Sequence, residues 1–340
     1  MTKNFRILLA VTTCLSVPFS LSAVQNWKKL HEEVNHNHKS AHKFRGYKST
    51  SDETKEFLAS MKESHTKLHL QHSPSKEESS HFLHMTAPKI PTSFDLSQYT
   101  TIFDQGPLGS CTGNSLVGAL FARQLKELSE ANPKTALPTL KVNVHPASRL
   151  FVYYGERQLE GTVNEDSGAS IGDGIKFIHT TGAPDETVWP YDVSKFAIKP
   201  PVTAWTQAYS HKALDPNYMT HDAIIPSVTG LNALKLAISS GDLISLGIAV
   251  YDSFESDQVA KTGVVPIPDV KKESLLGGHA VLALGYDDKT QLIKCANSWG
   301  TSWGDKGYFY LPYKYFEDSS LTDEAWIIST VQKPNVVIKK

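Results

Sequence analysis

One thiol in this chain stands where a nucleophile would be made. Cys111 sits in DQGPLGSCTGNSL, where Gly106, Pro107 and Gly109 form a turn that runs into an apolar stripe of helical period: Leu116, Val117, Leu120, Phe121, Leu125 and Leu128. A cysteine at a helix N-terminus feels the positive end of the dipole and the free amides of the first turn, and both favour the thiolate. The thiolate is the attacking species, and the same amides can receive the oxygen of a carbonyl under attack. Taken alone, the segment fits a buried cysteine that merely begins a helix equally well. His279 supplies a second group. It heads the apolar run HAVLALGY after Gly277 and Gly278, which let another backbone come close. A histidine so placed also has a plain packing reading. Asn297 follows 18 residues later. If two strands pair around a turn at Asp287–Thr290, its amide comes beside the His279 ring. A third group that orients the base without taking a proton would complete an arrangement for covalent acyl transfer.

The elements that must hold these residues can be read from periodicity. Helices are expected over Ser148–Leu159, Ala169–Thr181 (closed by Gly182 and Pro184) and Leu231–Ser240 (stopped by Gly241). Strands follow at 242–250, 279–286, 291–299, 307–312 and 325–331, the middle pair joined as a hairpin. Helices first and strands later predict an α+β fold of two layers or lobes with a cleft between them.

Bulk properties narrow the function. The 340 residues are 40% hydrophobic and 20% charged, an ordinary globular composition, and the net charge of −1 gives no pull towards nucleic acid or anionic lipid. Residues 1–23 read as a secretory signal: Lys3 and Arg6 precede a short apolar core, and Leu21-Ser22-Ala23 offers a small-residue cleavage site. A lipid anchor through Cys14 is the rival reading. The apolar stretch is too short for a stable membrane span, so export to the periplasm or medium is expected. Residues 24–87 are polar, nearly without glycine, and hold nine of the 14 histidines. One helix is expected there, Asp52–Leu70, with Ser51 or Asp52 as cap. The segment cannot bury a core alone and reads as a linker, an arm or a strap packed on something else.

At this point a resemblance carries further. QGPLGSC, GGHAVLALGY and NSWGTSWGDKGYFYL resemble the active-site segments of papain-like (cathepsin-like) cysteine peptidases, in the family's order Cys, His, Asn. IPTSFDLS, DSGASIGDGIKFIHTTGAP and WPYD extend the likeness from Pro88 to about Val331. The resemblance implies a two-lobed fold, with a helical N-terminal lobe, an antiparallel β-barrel-like C-terminal lobe and the cleft between them. It implies Cys111 as nucleophile, His279 as acid/base partner, Asn297 as its orienting residue and Gln105 as oxyanion donor beside the Cys111 amide. Trp299 would shield the Asn–His bond. Gly168 and Ala169 would line the substrate backbone, and Gly277, Gly278 and Ala280 would border the pocket for the second residue before the scissile bond. No metal or cofactor is called for.

The resemblance sets the domain boundaries at 88–333 for the peptidase and 334–340 for a tail, with 24–87 as an inhibitory prosegment acting on its own chain. The expected activity is hydrolysis of peptide or protein substrates by a secreted protease made as a zymogen. A transpeptidase on the same scaffold and a catalytically silent peptide-binding protein are the alternatives. Departures are also visible. Leu108 and Thr112 stand where familiar members carry a cysteine and an aromatic, and the family's disulfide cysteines are missing. The sequence pattern is closest to bacterial members. Cys295 reads as an inert core thiol. The Cys111–His279 separation of 168 residues exceeds the usual range of about 130–150, which implies insertions near Ala131–Val144 and Ala204–Pro226. The histidines of the prosegment raise the expectation of acid-sensitive activation.

Overall fold

The computed structural model describes residues 46–60, 90–142, 144–214, 219–224 and 228–331. The expected signal, the nine histidines of the prosegment, the second half of its helix and the C-terminal tail lie outside them.

The long helix α2 (Cys111–Ala131) is the centre of the fold, and its first twelve residues are all buried. It can be buried all round because the sequence there is small or apolar on every face. On one side it meets the helices α4 (Arg149–Glu160) and α5 (Ile171–Thr181), and on the other the strands β5 (Leu243–Tyr251), β6 (Leu275–Asp287) and β9 (Thr322–Val331). Ser148 caps α4 and Ser170 caps α5, each accepting a bond from a main-chain amide of the first turn.

The sheet runs β4 (Met219–Ile224), β9, β5, β6, β7 (Leu292–Ala296), β8 (Tyr308–Pro312), with β2 (Ser93–Asp95) added on β6. Its strand pairs are antiparallel. β5 is buried at all nine positions, as its uninterrupted apolar run demands. The fold is therefore α+β as expected, with helices on one side and an antiparallel sheet on the other.

Three details differ from the sequence reading. Helix α5 begins two residues late, because Ala169–Ser170 form a strand, β3, that pairs with a distant segment. Strand β7 stops at Ala296, so Asn297 lies just past its end. The expected insertions hold ordered elements: the short helix α3 (Leu137–Lys141) in one, and helix α6 (Val202–Leu214) with edge strand β4 in the other.

Residues 46–60 are the described part of the segment expected to be a prosegment. Tyr47–Lys48 form β1, which pairs in parallel with β3, and residues 52–60 form helix α1, the first half of the expected helix. The segment is held by carboxylates of the main domain. Tyr47 and Ser49 donate to Asp323, Thr50 donates to Glu324 through both its amide and its hydroxyl, and Thr54 donates to Asp173. Lys48 pairs with Glu160.

Candidate active site

The turn before α2 is stitched down from three directions. Asp166 Oδ1 accepts from the Gly109 amide at 2.9 Å and from the Tyr153 hydroxyl at 2.6 Å. Tyr191 donates its hydroxyl to the Gln105 carbonyl at 2.9 Å. Arg149 donates to Asn114 Oδ1 at 2.9 Å and pairs with Glu186. The Gln105 main chain is tied to the other lobe, its amide donating to the Ser298 carbonyl at 2.8 Å. Its side chain is buried: Oε1 accepts from Ser298 Oγ at 2.6 Å, and Nε2 donates to the Leu108 carbonyl at 2.8 Å. An amide nitrogen has two protons, so one remains to be offered to a carbonyl oxygen at Cys111.

His279 lies on β6 opposite Ile248 of β5. The hairpin register, Leu282 opposite Ala296, brings the end of β7 beside it. His279 Nε2 meets Asn297 Oδ1 at 2.8 Å. The same oxygen accepts from the Ser298 amide at 2.8 Å, which fixes the orientation of the carboxamide. Nε2 must therefore carry the ring proton in the neutral histidine. Nδ1 is left bare, buried and without a hydrogen-bond partner. Trp299 stacks on the imidazole with centroids 5.0 Å apart and planes 23° apart, and is itself backed by Trp303 and Phe254. The Ala280 amide, one residue after His279, acts on the Cys111 thiol to lower its pKa. Cys111, His279, Asn297, Gln105 and Trp299 thus converge from both sides of the molecule.

Cys111 is 1% exposed, and the segment around Gly46 lies on it. At Gly46 an added Cβ would stand 2.7 Å from Cys111 Sγ and 2.4 Å from the Gly109 carbonyl, so only glycine fits this contact. The Gly46 carbonyl accepts a bond from the Ala169 amide at 2.7 Å. Burial pushes the Cys111 thiol up to about 12, against the Ala280 amide that lowers it, and pulls His279 down to about 4, against the bond to Asn297. Burial therefore favours the uncharged form of both groups while the segment is in place.

The expected binding residues divide. Ala169 is engaged by Gly46, and the Gly168 amide is held by the Tyr153 hydroxyl at 3.1 Å. Ala280 lies opposite Gly247, whereas Gly277 and Gly278 pair with Val250 and Ala249 on the same strands. Cys295 is a free thiol, fully buried opposite Ala283. Asp166, Tyr153 and Arg157 belong to the site's support without standing out in the sequence. The last is fully buried and donates to four carbonyls: those of Tyr153, Val163, Glu165 and Phe196. The spacing of Tyr153 and Arg157, one helical turn apart, was the signal available. Asp323 and Gly247 line a slot filled by Tyr47, and for those the sequence carries no signal.

Comparison with known proteins agrees with this geometry. Residues 162–327 match the family model described as papain family cysteine protease. A peptidase C1-like protein of Acanthamoeba polyphaga mimivirus is 41% identical over 251 residues, covering 71% of this chain and 75% of that protein. Among solved structures, xylellain, a cysteine protease from Xylella fastidiosa, superposes with a TM-score of 0.62 at 29% identity, over 87% of this chain and 99% of that one. Digestive procathepsin L 3 of Tenebrio molitor larval midgut shares the fold, with a TM-score of 0.51 at 18% identity, over 92% of this chain and 100% of that one. The fold and the family match define a cysteine-type peptidase of two lobes. The chain belongs to the papain family of cysteine proteases.

Proposed function

We propose that this chain is the zymogen of an exported cysteine protease that hydrolyses peptide bonds through a thioester on Cys111. With the prosegment gone and water admitted, the burial that keeps both groups neutral is relieved, and the Cys111 proton passes to His279 Nδ1. The thiolate attacks the peptide carbonyl carbon while the Cys111 amide and the remaining Gln105 Nε2 proton take the oxyanion. His279 returns its proton to the leaving nitrogen, the C–N bond breaks, and the acyl group stays on sulfur. Water, deprotonated by His279, then attacks the thioester and releases the carboxylic acid and the thiol. Asn297 holds the ring so that Nδ1 keeps facing this work, and Trp299 keeps water from the bond between them.

The observation that carries the zymogen reading is Gly46. A main-chain segment of the same polypeptide lies against Cys111, yet its carbonyl is bound by the Ala169 amide rather than by the oxyanion donors. It occupies the cleft as a peptide would without presenting a carbonyl for attack. Export rests on residues 1–23. The test is to follow the full-length chain under reducing conditions during limited proteolysis of residues 46–60. Hydrolysis of a peptide substrate that rises as the segment is cut supports the reading. Full activity in the uncut chain would sink the zymogen assignment.

A further inference from the structure

Tyr191 belongs to WPYD, a stretch that takes no part in the bond-making and bond-breaking steps. Its hydroxyl meets two residues of the turn before α2: the Gln105 carbonyl at 2.9 Å and Ser110 Oγ at 2.5 Å. A carbonyl oxygen only accepts, so the phenol proton is spent on Gln105 and the phenol oxygen takes the Ser110 proton. Ser110 Oγ in turn accepts from Asn114 Nδ2 at 3.1 Å. The far end is fixed as well, because Arg149 donates to Asn114 Oδ1 at 2.9 Å and a guanidinium cannot accept. Every proton in the chain from Arg149 to the Gln105 carbonyl therefore points the same way, and hydrogen bonds in series polarise one another.

These bonds end on both groups that would receive the oxyanion. The Gln105 main chain is held at its carbonyl by Tyr191 and at its amide by Ser298, so its side chain leaves from a fixed backbone. The Cys111 N–H shares a planar peptide unit with the Ser110 carbonyl. That carbonyl accepts from Asn114 twice, through Nδ2 at 2.9 Å and the main-chain amide at 3.1 Å. Arg149 is locked in turn by two bonds to Glu186, at 2.9 and 2.6 Å, and by the Phe103 and Tyr191 rings, 4.3 and 4.1 Å from its Cζ. Gln105, Ser110, Asn114 and Arg149 are all buried, so a bond lost here is not readily replaced by water. None of these bonds involves the Cys111 sulfur or the His279 ring.

Resting on the peptidase reading above, we propose that Tyr191 and Asn114 are positioning residues for oxyanion stabilisation. Tyr191 acts through Gln105, setting where its Nε2 stands. Asn114 acts through the Ser110–Cys111 peptide, setting where the Cys111 amide points. Arg149 holds the two in register. The consequence is confined to one kind of reaction at sulfur. When the thiolate adds to a peptide carbonyl, the S–C bond forms and the C=O pair moves onto oxygen, which needs both donors. When iodoacetamide alkylates it, the S–C bond forms and iodide leaves, and no oxygen gains charge.

The experiment uses the full-length chain opened by limited proteolysis, with active sites counted by iodoacetamide labelling of Cys111. Peptide hydrolysis and the rate of labelling are measured on the same sample. Tyr191→Phe keeps the ring over Arg149 and removes only the hydroxyl. It is expected to lower kcat about ten-fold, with KM and the labelling rate unchanged. In a Gln105→Ala background the same change is expected to cost less than about two-fold more, because the group it positions is gone. Asn114→Leu is expected to lower kcat by a similar factor and to keep that effect beside Gln105→Ala, since it works through the other donor. A kcat in Tyr191→Phe within about two-fold of the unaltered enzyme would overturn the proposal. So would labelling that slows as much as hydrolysis, which marks a damaged thiol or fold, or a Tyr191→Phe loss that persists in full beside Gln105→Ala. If Cys111 labels in the unaltered chain but no peptide is cut, the peptidase reading fails and takes this inference with it, an outcome distinct from cleavage that Tyr191→Phe leaves unchanged.

Discussion

The Gly46 carbonyl accepts a hydrogen bond from the Ala169 amide at 2.7 Å, and this bond helps seat residues 46–60 over Cys111. With the segment seated there, the Cys111 thiol is out of water and the Gly46 carbonyl is engaged by a main-chain amide.

Gly46→Ala should loosen that seat. The new Cβ would meet the Gly109 carbonyl at 2.4 Å, a main-chain atom that cannot easily yield. Overpacking of this kind costs about 1–3 kcal/mol, enough to raise the open population at least about five-fold. The rate of iodoacetamide labelling of Cys111 in the full-length chain, measured at neutral pH, should rise by the same factor. An unchanged rate would show that the segment does not control access.

Asn297→Ala should separate orientation from chemistry. His279 Nε2 loses its bond to the Asn297 carboxamide and the ring is freed to turn, so kcat should fall by up to about 100-fold with little change in KM. His279→Ala removes the acid and base altogether and should cost about 100- to 10,000-fold. Steady-state kinetics on one peptide substrate distinguish the two, and equal losses would argue against a positioning role for Asn297.

Arg157→Lys should damage the cleft from behind. The guanidinium ties the loop of residues 163–165 to the Phe196 carbonyl and lies over the Tyr153 ring, 4.0 Å from its centroid. An ammonium cannot reach four carbonyls at once, so a loss of about 2–4 kcal/mol in unfolding free energy is expected. Because that loop leads into Gly168 and Ala169, KM should rise as well. Denaturant unfolding and peptide kinetics on the same sample would check both.

Glu156 predicts a pH dependence of stability. It is fully buried beneath the nucleophile helix, with Oε2 accepting from the Thr112 hydroxyl at 2.7 Å and Oε1 unpartnered. Burial pushes its carboxyl from 4.5 up to about 8, against the Thr112 bond. Between these values the unfolded chain has released the proton while the folded chain keeps it. The stability this group contributes is therefore full below pH 4.5 and is lost as pH rises through about 8. Glu156→Gln has no such proton, so its melting temperature should fall less than that of the unaltered chain between pH 5 and pH 8. Parallel curves would contradict the assignment.

The chemistry-bearing residues were legible in the sequence because each occupies a fixed place in a local pattern. Cys111 starts a helix whose apolar stripe is plain, and His279 and Asn297 flank a hairpin whose turn can be counted. The α+β order and most strands followed from periodicity in the same way. Ala169–Ser170 were read as helix because their partner, Tyr47–Lys48, lies over a hundred residues away, and local pattern carries no trace of such pairing. Asp323 and Gly247 were invisible for a related reason: a lone aspartate and a lone glycine in strands acquire meaning only from the ring set between them. Glu156 and Thr112 form a buried pair that hydrophobic patterning has no means to announce.

The central claim is that Cys111 cleaves peptides once the prosegment is displaced, and one measurement tests it most directly. Peptide hydrolysis by the full-length chain should be followed before and after limited proteolysis of residues 46–60, beside Cys111→Ala treated in the same way. The account predicts negligible cleavage before, thiol-dependent cleavage after, and none in the variant at either stage. Cleavage that persists in Cys111→Ala, or none from the opened chain with its thiol intact and reactive, would contradict it.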